Sequence, residues 1–488
     1  MMEPRDRWHL VYAIIVLQGL ASAVPWNVYV TESEYFGLRV HVPPFSRILA
    51  DNFENVNLVI SQAANLLGFL IYVPCQRWMS MDAQVLHPQV LTLLVMVAGC
   101  IVCLALQLGG NAVAVITLAS QVIIGLTNAT IVGGVFAMAA WLPQKYVQGM
   151  SLGIGLSGVG VAAISFVTLW WSHPAHHHVK TPAEVAPEAF SYFVLSSVII
   201  AAAVVTYFMF FRMSFVRHHR QPEVLAEWDW QHAEQAALKE PLIAAVPSAS
   251  RLNDSAHDLE RLLPSSKAAS VAKAPLYGRL SRGTSMREVT EMSLREVLRR
   301  MMGYNIVCVL VLLVTSAAFP GVTSAMCSRY NSASVAPCNT YSSRGRFFGD
   351  LFVPFIFLVF NAGDFLGRLA AGLEPWRSKA PPMTFLITYS AARALLVGGL
   401  VLCNVVTAAP WQLPVLLKSD MWPIGLSLVL GLTNGHLTSL AMMHAPATLP
   451  RGFARDRCGP ILNLALTIGC TLGSIIAFAI TYFFQGGS

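Results

Sequence analysis

Charged residues are scarce in this chain. Only 12% of its 488 residues are Asp, Glu, Lys or Arg, whereas soluble domains carry about 25%. Hydrophobic residues make up 55% of the chain, and the mean hydropathy is +0.58. This composition excludes an ordinary soluble protein and indicates a chain whose main solvent is lipid.

Several motifs are also missing. The chain has no Walker-type glycine loop followed by Lys-Ser/Thr, which argues against an ATP-driven pump. It has no selectivity-filter sequence, which weakens a channel interpretation. The nine cysteines form no pair of CxxC motifs, so we expect neither a metal nor another cofactor. The net charge of +7 lies mostly in loops on one side of the predicted membrane, so we expect no nucleic-acid partner.

Long apolar runs dominate what is present. A helix needs about 20 apolar residues to cross a bilayer, and eleven runs meet this condition. We therefore predict an all-α membrane protein whose spans lie at about 8–30, 58–75, 88–108, 112–142, 147–171, 189–211, 301–322, 348–371, 383–407, 420–445 and 458–484. The first run is too long for a signal peptide, and we expect no cleavage.

A polar segment divides these spans into six and five. Residues 213–295 are rich in charge and serine and poor in aromatics, which is typical of a disordered linker. We predict an amino-terminal half at 1–212 and a carboxy-terminal half at 296–488, in the 6+5 arrangement of major-facilitator-like carriers. Ser293 and Glu296 fit a capping box and predict a short helix before the seventh span.

The distribution of Lys and Arg predicts the orientation. Positive residues of the amino terminus, the linker and the loops after spans 2, 4, 8 and 10 all fall on one side. If that side is cytoplasmic, the amino terminus lies inside and the carboxyl terminus outside. Cys327 and Cys338 then share an outer loop, where a disulfide between them is a hypothesis.

The eighth span carries the clearest functional signal. Asn361, Asp364 and Arg368 are spaced by three and four residues and share one helix face. A charge at the bilayer centre costs about 2.5–3.5 kcal/mol on insertion scales, so this face must meet protein or a wet cavity. The side chains either bind a polar substrate or form a structural ion pair.

The first span ends with a second candidate group. Pro25 frees a backbone carbonyl and predicts a kink, Trp26 offers a flat face for stacking, and Asn27 offers a donor and an acceptor. Trp26 could equally belong to an interfacial aromatic belt. Glu32 and Asp364 are the candidates for carrying a proton, because we expect both near the transport path.

Other residues suit packing. Gly149 and Gly153 form a GxxxG pattern, and Gly153 and Gly155 flank an isoleucine in a run of small residues. Arg393, in the ninth span, is expected to pair with Asp364 or with loop carbonyls. We interpret these residues as structural or gating.

Together these residues resemble the equilibrative nucleoside transporter family. The matching stretches, in chain order, are Pro25-Trp26-Asn27 with Thr31, Tyr35 and Phe36; Phe319-Pro320-Gly321-Val322-Thr323; Phe360 to Arg368; and Ala392-Arg393 with Cys403-Asn404. The resemblance covers nearly the whole chain. It implies a major-facilitator-like fold, alternating access, and substrate contacts at Trp26, Asn27, Asp364 and Arg368.

One stretch departs from the family pattern. Mammalian members have a substrate-contacting glutamine between two glycines in the fifth helix, where this chain has Gly153-Ile154-Gly155. The chain looks more like the protozoan branch, in which purine salvage and proton coupling are common. The resemblance implies a plasma-membrane carrier of purine nucleosides or nucleobases. A carrier of another small polar solute and a non-transporting receptor or scaffold stay open as alternatives.

Overall fold

The computed structural model describes residues 4–47, 53–171, 181–220, 292–331, 344–405, 415–450 and 453–485. Within these ranges the chain is helical, and its only β-type pairing is an isolated bridge between Met326 and Val405. Eleven of the described helices are long and apolar enough to cross a membrane. The predicted all-α, eleven-span fold is therefore confirmed.

The spanning helices are numbered here in chain order. The amino-terminal set consists of α1 (Leu10–Thr31), α2 (Phe53–Cys75), α3 (His87–Leu104), α4 (Gly110–Ala140), α5 (Gln144–Trp171) and α6 (Pro182–Arg212). The carboxy-terminal set consists of α7 (Met302–Ala318), α8 (Phe352–Ala371), α9 (Met383–Ala392 with Ala394–Val401), α10 (Met421–His444) and α11 (Cys458–Gln485). Between the sets, α5 packs on α8 and α10, and α11 packs on α2 and α4.

Several predicted boundaries differ from the structure for identifiable reasons. Helix α6 begins at Pro182 rather than 189, because Thr181 and Glu184 form a capping box. Helix α7 ends at Ala318, just before Pro320, and a short helix Gly321–Ser324 follows. Helix α9 ends at Val401 rather than 407 and is interrupted at Arg393.

The predicted linker was wrong at its beginning. Residues Ser214–His219 form a helix, because Phe215 and Val216 are buried and Phe215 packs on Tyr146 of α5 with ring centroids 5.5 Å apart. The short helix predicted from Ser293 and Glu296 is confirmed as Leu294–Arg300, with the Ser293 hydroxyl accepting from the Glu296 N–H. Residues 221–291 lie outside the described ranges.

Glycines allow two helix pairs to pack backbone against backbone. In the α1–α5 pair, a Cβ added at Gly153 would collide with the carbonyl oxygen of Val16, and one at Gly19 with that of Met150. In the α8–α10 pair, a Cβ at Gly367 would collide with the Leu432 carbonyl, and one at Gly435 with the Asp364 carbonyl. Small residues permit this approach in a membrane, where close packing contributes much of the association energy.

Cys327 follows the short helix after α7 and is disulfide-bonded. Cys338, its predicted partner, lies outside the described residues, so the pairing stays a prediction.

Candidate functional site

A cavity of about 260 Å³, lined by both polar and apolar side chains, lies between the two helical sets. Ligand pockets are usually about 300–1,000 Å³. The volume of this cavity lies just below that range, which suits a small solute. Helices α3, α6 and α9 contribute no lining residue, and the other eight do. The lining residues are Trp26, Ser61, Gln62, Asn65, Ile124, Gly125, Asn128, Ile154, Leu312, Arg368, Asn434, Thr438, Met442, Asn463, Leu466, Thr467 and Cys470.

The charged pair of α8 lies at this cavity. Arg368 Nε donates to Asp364 Oδ2 at 2.7 Å, and both residues are only 8% exposed. Arg368 lines the cavity, whereas Asp364 is not among the lining residues. Arg368 Nη1 also donates to the Ser151 hydroxyl of α5 at 2.8 Å. Asp364 therefore fixes the orientation of the guanidinium and compensates its charge.

Asn434 of α10 is a third hydrogen-bonding partner in this arrangement. Its Nδ2 donates to Asp364 Oδ1 at 2.7 Å, and its Oδ1 lies 2.8 Å from the Thr315 hydroxyl of α7. Both Asn434 and Arg368 line the cavity. A carboxylate that accepts from an amide and a guanidinium is well solvated without water.

Of the two partners expected for Arg393, the structure shows backbone carbonyls, which belong to helices rather than loops, and no hydrogen bond to Asp364. Its guanidinium donates to the hydroxyls of Thr433 and Thr315, at 2.8 and 2.7 Å, and to the carbonyls of Val311 and Leu430. Its link to Asp364 runs through Thr315 and Asn434. The position of Arg393 at the break in α9 lets it reach α7 and α10 together, which gives it a structural role outside the cavity lining.

Replacing Arg393 with leucine should lower the free energy of unfolding by roughly 2–4 kcal/mol. Each hydrogen bond from a charged group contributes about 1.5–3 kcal/mol, and removal of a desolvated charge offsets part of that loss. The measurement is the thermal unfolding midpoint of the purified protein in detergent. Ser390→Ala is the control, because the buried Ser390 hydroxyl bonds only its own helix at Leu386. An unchanged midpoint for Arg393→Leu would contradict this structural role.

The three predicted residues of α1 have different positions. Trp26 lines the cavity. Asn27 does not; its Nδ2 donates to the Ser157 hydroxyl of α5 at 2.7 Å and joins the two helices. Pro25 is buried within α1, whose helical assignment continues through it to Thr31.

Asn361 and the glycines of α5 lie where α5 meets α8. Asn361 Nδ2 donates to the Phe357 carbonyl at 2.9 Å, and its Oδ1 lies against Gly158. A Cβ added at Gly155 would lie 2.6 Å from Arg368 Cδ. The predicted stripe of α8 therefore faces α5, and Gly155 provides the space that Arg368 occupies. Ile154, next to it, presents an apolar side chain to the cavity.

Glu32 is separate from this site. It follows α1 and is 6% exposed, and it interacts electrostatically with Tyr192 of α6 and Cys103 of α3. It is not among the lining residues. The structure brings Trp26 and Arg368 to one cavity, with Asp364 directly behind Arg368, but it does not bring Glu32 there.

Five amide side chains line the cavity and were not among the predicted site residues. These are Gln62, Asn65, Asn128, Asn434 and Asn463. The spacing of these residues would have indicated a polar helix face. Gln62 and Asn65 are three residues apart within one apolar span, and Asn463 and Thr467 are four apart within another. An uncharged polar side chain in an apolar span is a weaker signal of a site than a charged one, because it costs less to insert.

The helical sets contact each other on both sides of the cavity. At the end of the helical bundle where α1 begins, Gln148 Nε2 donates to the Arg368 carbonyl at 3.2 Å, and Gln144 Nε2 donates to the Met443 carbonyl at 2.9 Å. At the other end, Arg346 Nη2 donates to the Leu169 carbonyl at 2.7 Å. Among the described residues no group of three or more His, Cys, Asp or Glu side chains could hold a metal ion.

Two sets of membrane helices around a central cavity form an arrangement that is typical of membrane carriers. The fold is major-facilitator-like. The proton:xylose symporter XylE, bound to 6-bromo-6-deoxy-D-glucose, aligns at a TM-score of 0.57 and 10% identity, over 96% of this chain and 87% of that chain. A family model described as nucleoside transporter matches residues 118–482, and the chain belongs to that family.

Two curated relatives illustrate the likeness over the whole length. Equilibrative nucleoside transporter 1 from Homo sapiens is 23% identical, covering 98% of this chain and 98% of its own. Equilibrative nucleoside transporter 2 from Homo sapiens is 24% identical, covering 97% of each chain. The family resemblance drawn from the sequence is confirmed.

Proposed function

We propose that the protein carries purine nucleosides and nucleobases across the plasma membrane by alternating access, with protons moving alongside. The observation that carries this proposal is the central cavity, in which Trp26 provides an aromatic face and Arg368 a fixed, paired guanidinium. Aromatic faces stack bases at about 1–3 kcal/mol per base. Arg368 then donates hydrogen bonds to the polar edge of the base or to the ribose.

The charge of the cavity favours a neutral ligand. Among the described residues that line the cavity, Arg368 is the one with a formal charge, and Asp364 compensates it at 2.7 Å. A phosphate group would require an uncompensated cation, so nucleotides fit poorly. Nucleosides and nucleobases are neutral, and the names of the relatives point to nucleosides.

Alternating access is supported by hydrogen bonds that join the two sets at both ends. Gln144 and Gln148 join α5 to α10 and α8 at one end, and Arg346 joins the start of α8 to α5 at the other. Breaking one group while keeping the other opens the cavity to one side at a time. We propose that the end at which α1 begins is cytoplasmic; an epitope tag at the amino terminus should be stained only after permeabilisation.

Trp26→Ala should lower the uptake of radiolabelled adenosine by about ten- to a hundredfold, because the loss of one stacked base costs about 1–3 kcal/mol. The measurement is initial uptake into proteoliposomes containing the purified protein, with labelled adenosine, inosine, hypoxanthine and a sugar each supplied separately. Trp26→Phe should retain part of the activity. Trp170→Ala is the matched control, because this tryptophan is exposed outside the cavity lining.

Absence of uptake for all three purine compounds would overturn the proposed substrate class. Transport of the sugar alone would favour a carrier of another polar solute, an alternative supported by the apolar Ile154 in the cavity. A vesicle without any flux would favour a receptor or scaffold.

Asp364→Asn should abolish proton-driven accumulation. Asp364 is the carboxylate directly behind the cavity, bonded to Arg368 and Asn434, so its protonation would release Arg368. The measurement is uptake against an imposed pH gradient, with and without a protonophore. Glu32→Gln is the comparison and should keep the gradient dependence, because Glu32 is not among the lining residues. If uptake by the unchanged protein depends neither on pH nor on the protonophore, proton coupling is contradicted and the proposed substrate class is unaffected.

A further inference from the structure

We infer that Gln62, Asn65, Asn128 and Thr467 form a second subsite that recognises the hydrogen-bonding edge of a planar nitrogen heterocycle. This inference rests on the proposed function and deepens it. It assigns base recognition to the place where α2, α4 and α11 meet. Arg368, which lies between α5, α8 and α10, then binds the ribose of a nucleoside.

The four side chains lie together in one wall of the cavity. Asn128 Nδ2 donates to Asn65 Oδ1 at 3.0 Å, and Asn65 Nδ2 donates to the Thr467 hydroxyl at 3.4 Å. Gln62 Nε2 lies 3.6 Å from Cys470 Sγ. All of these residues line the cavity. The Asn65–Thr467 bond also joins the amino-terminal set to the carboxy-terminal set.

These amides have bonding capacity left for a ligand. A carboxamide offers two N–H donors and an oxygen with two lone pairs. In the contacts of the described residues, Asn128 uses one N–H group, and Gln62 uses one on a thiol, which is a weak acceptor. The Asn65–Thr467 distance of 3.4 Å exceeds the usual 2.7–3.2 Å range. A ligand can therefore replace these bonds at small cost.

The chemistry of the subsite selects the ligand class. An amide places one donor beside one acceptor, which is the arrangement that pairs with the N6 and N7 atoms of adenine. A cluster of neutral amides carries no charge that would compensate a charged ligand group. The best fit is the edge of a purine base, with adjacent nitrogen donors and acceptors.

The test measures discrimination between matched analogues. Adenosine, 1-deazaadenosine, 7-deazaadenosine and 3′-deoxyadenosine compete with labelled adenosine for uptake into proteoliposomes containing the full-length protein. In the unchanged protein at least one deaza analogue should bind about three- to tenfold more weakly than adenosine, the effect of one lost hydrogen bond. Asn128→Leu should reduce that ratio towards one while leaving the ratio for 3′-deoxyadenosine unchanged.

Gln121→Leu is the matched control. Gln121 lies on the same helix, α4, and is 1% exposed, but it does not line the cavity. This variant should keep both ratios. Asn65→Ala provides a second route if Asn128→Leu does not fold, and its deaza ratio should also approach one.

Two results would overturn the inference, and they differ from failure of the proposed function. Equal binding of adenosine and both deaza analogues by the unchanged protein would exclude an edge-reading subsite. Retention of the deaza ratio in both Asn128→Leu and Asn65→Ala would give those amides a packing role only. If the unchanged protein takes up no purine compound, the proposed function fails first.

Discussion

Replacing Arg368 with leucine should reduce nucleoside uptake at least a hundredfold and lower the stability of the protein. The change leaves the Asp364 carboxylate buried, with Asn434 as its one remaining described partner. Breaking a buried ion pair on one side costs about 3–5 kcal/mol. It also removes the bond to the Ser151 hydroxyl that joins α8 to α5. The measurements are initial uptake in proteoliposomes and the thermal unfolding midpoint in detergent.

Arg377→Leu is the control for this result. Arg377 pairs with Glu374 at 2.8 Å, but both side chains are about half exposed, and exposed pairs contribute about 0–1 kcal/mol. It should leave uptake and stability almost unchanged. Arg368→Lys should also fail, because lysine lacks the planar fork that reaches Asp364 and Ser151 together. Normal uptake by Arg368→Leu would remove this residue from the proposed substrate site.

Gly435→Val should abolish uptake by separating α10 from α8. An added Cβ at Gly435 would collide with the Asp364 carbonyl oxygen and lie 3.0 Å from the backbone nitrogen of Arg368. Overpacking of this kind costs about 1–3 kcal/mol, and the shift would lengthen the 2.7 Å bond between Asn434 and Asp364. We expect uptake below about a tenth of the unchanged protein at equal surface expression, checked by surface biotinylation with uptake.

Gly425→Val on the same helix is the matched control. A Cβ at Gly425 meets no atom within 4 Å, so valine there should be tolerated. A Gly435→Val protein that transports normally would show that the α8–α10 contact yields without disturbing the charged pair. Equal damage from both variants would point to the intrinsic effect of valine on α10.

Much of the fold could be predicted from hydropathy alone. A bilayer offers the backbone no hydrogen-bonding partner, so a long apolar run has essentially one conformation available. The number of spans and most helix positions follow from this rule. It failed where a boundary depends on a cap, as at Thr181, or on a buried contact, as for Phe215 in the supposed linker.

The functional residues were only partly predictable, because charge is a stronger signal than polarity. Asp364 and Arg368 stand out in an apolar span, and the structure places Arg368 at the cavity. Asn65, Asn128 and Asn434 cost less to insert, so their presence in a span is a weaker indication of a site. Glu32 was proposed because we expected it near the transport path, but it follows the end of α1 and its neighbours are Tyr192 of α6 and Cys103 of α3.

The sequence by itself determined that the chain has eleven membrane-spanning helices and that the charged face of α8 is turned away from lipid, because lipid satisfies neither unpaired backbone groups nor side-chain charges. Only the tertiary structure decided what those charges meet. Asp364 could have bonded Arg393, but Asn434 and Arg368 occupy its oxygens, and Arg393 reaches Thr315 and Thr433 instead. The reason is physical: the glycines at 367 and 435 let α8 and α10 touch, and that contact distance selects which side chains can reach one another.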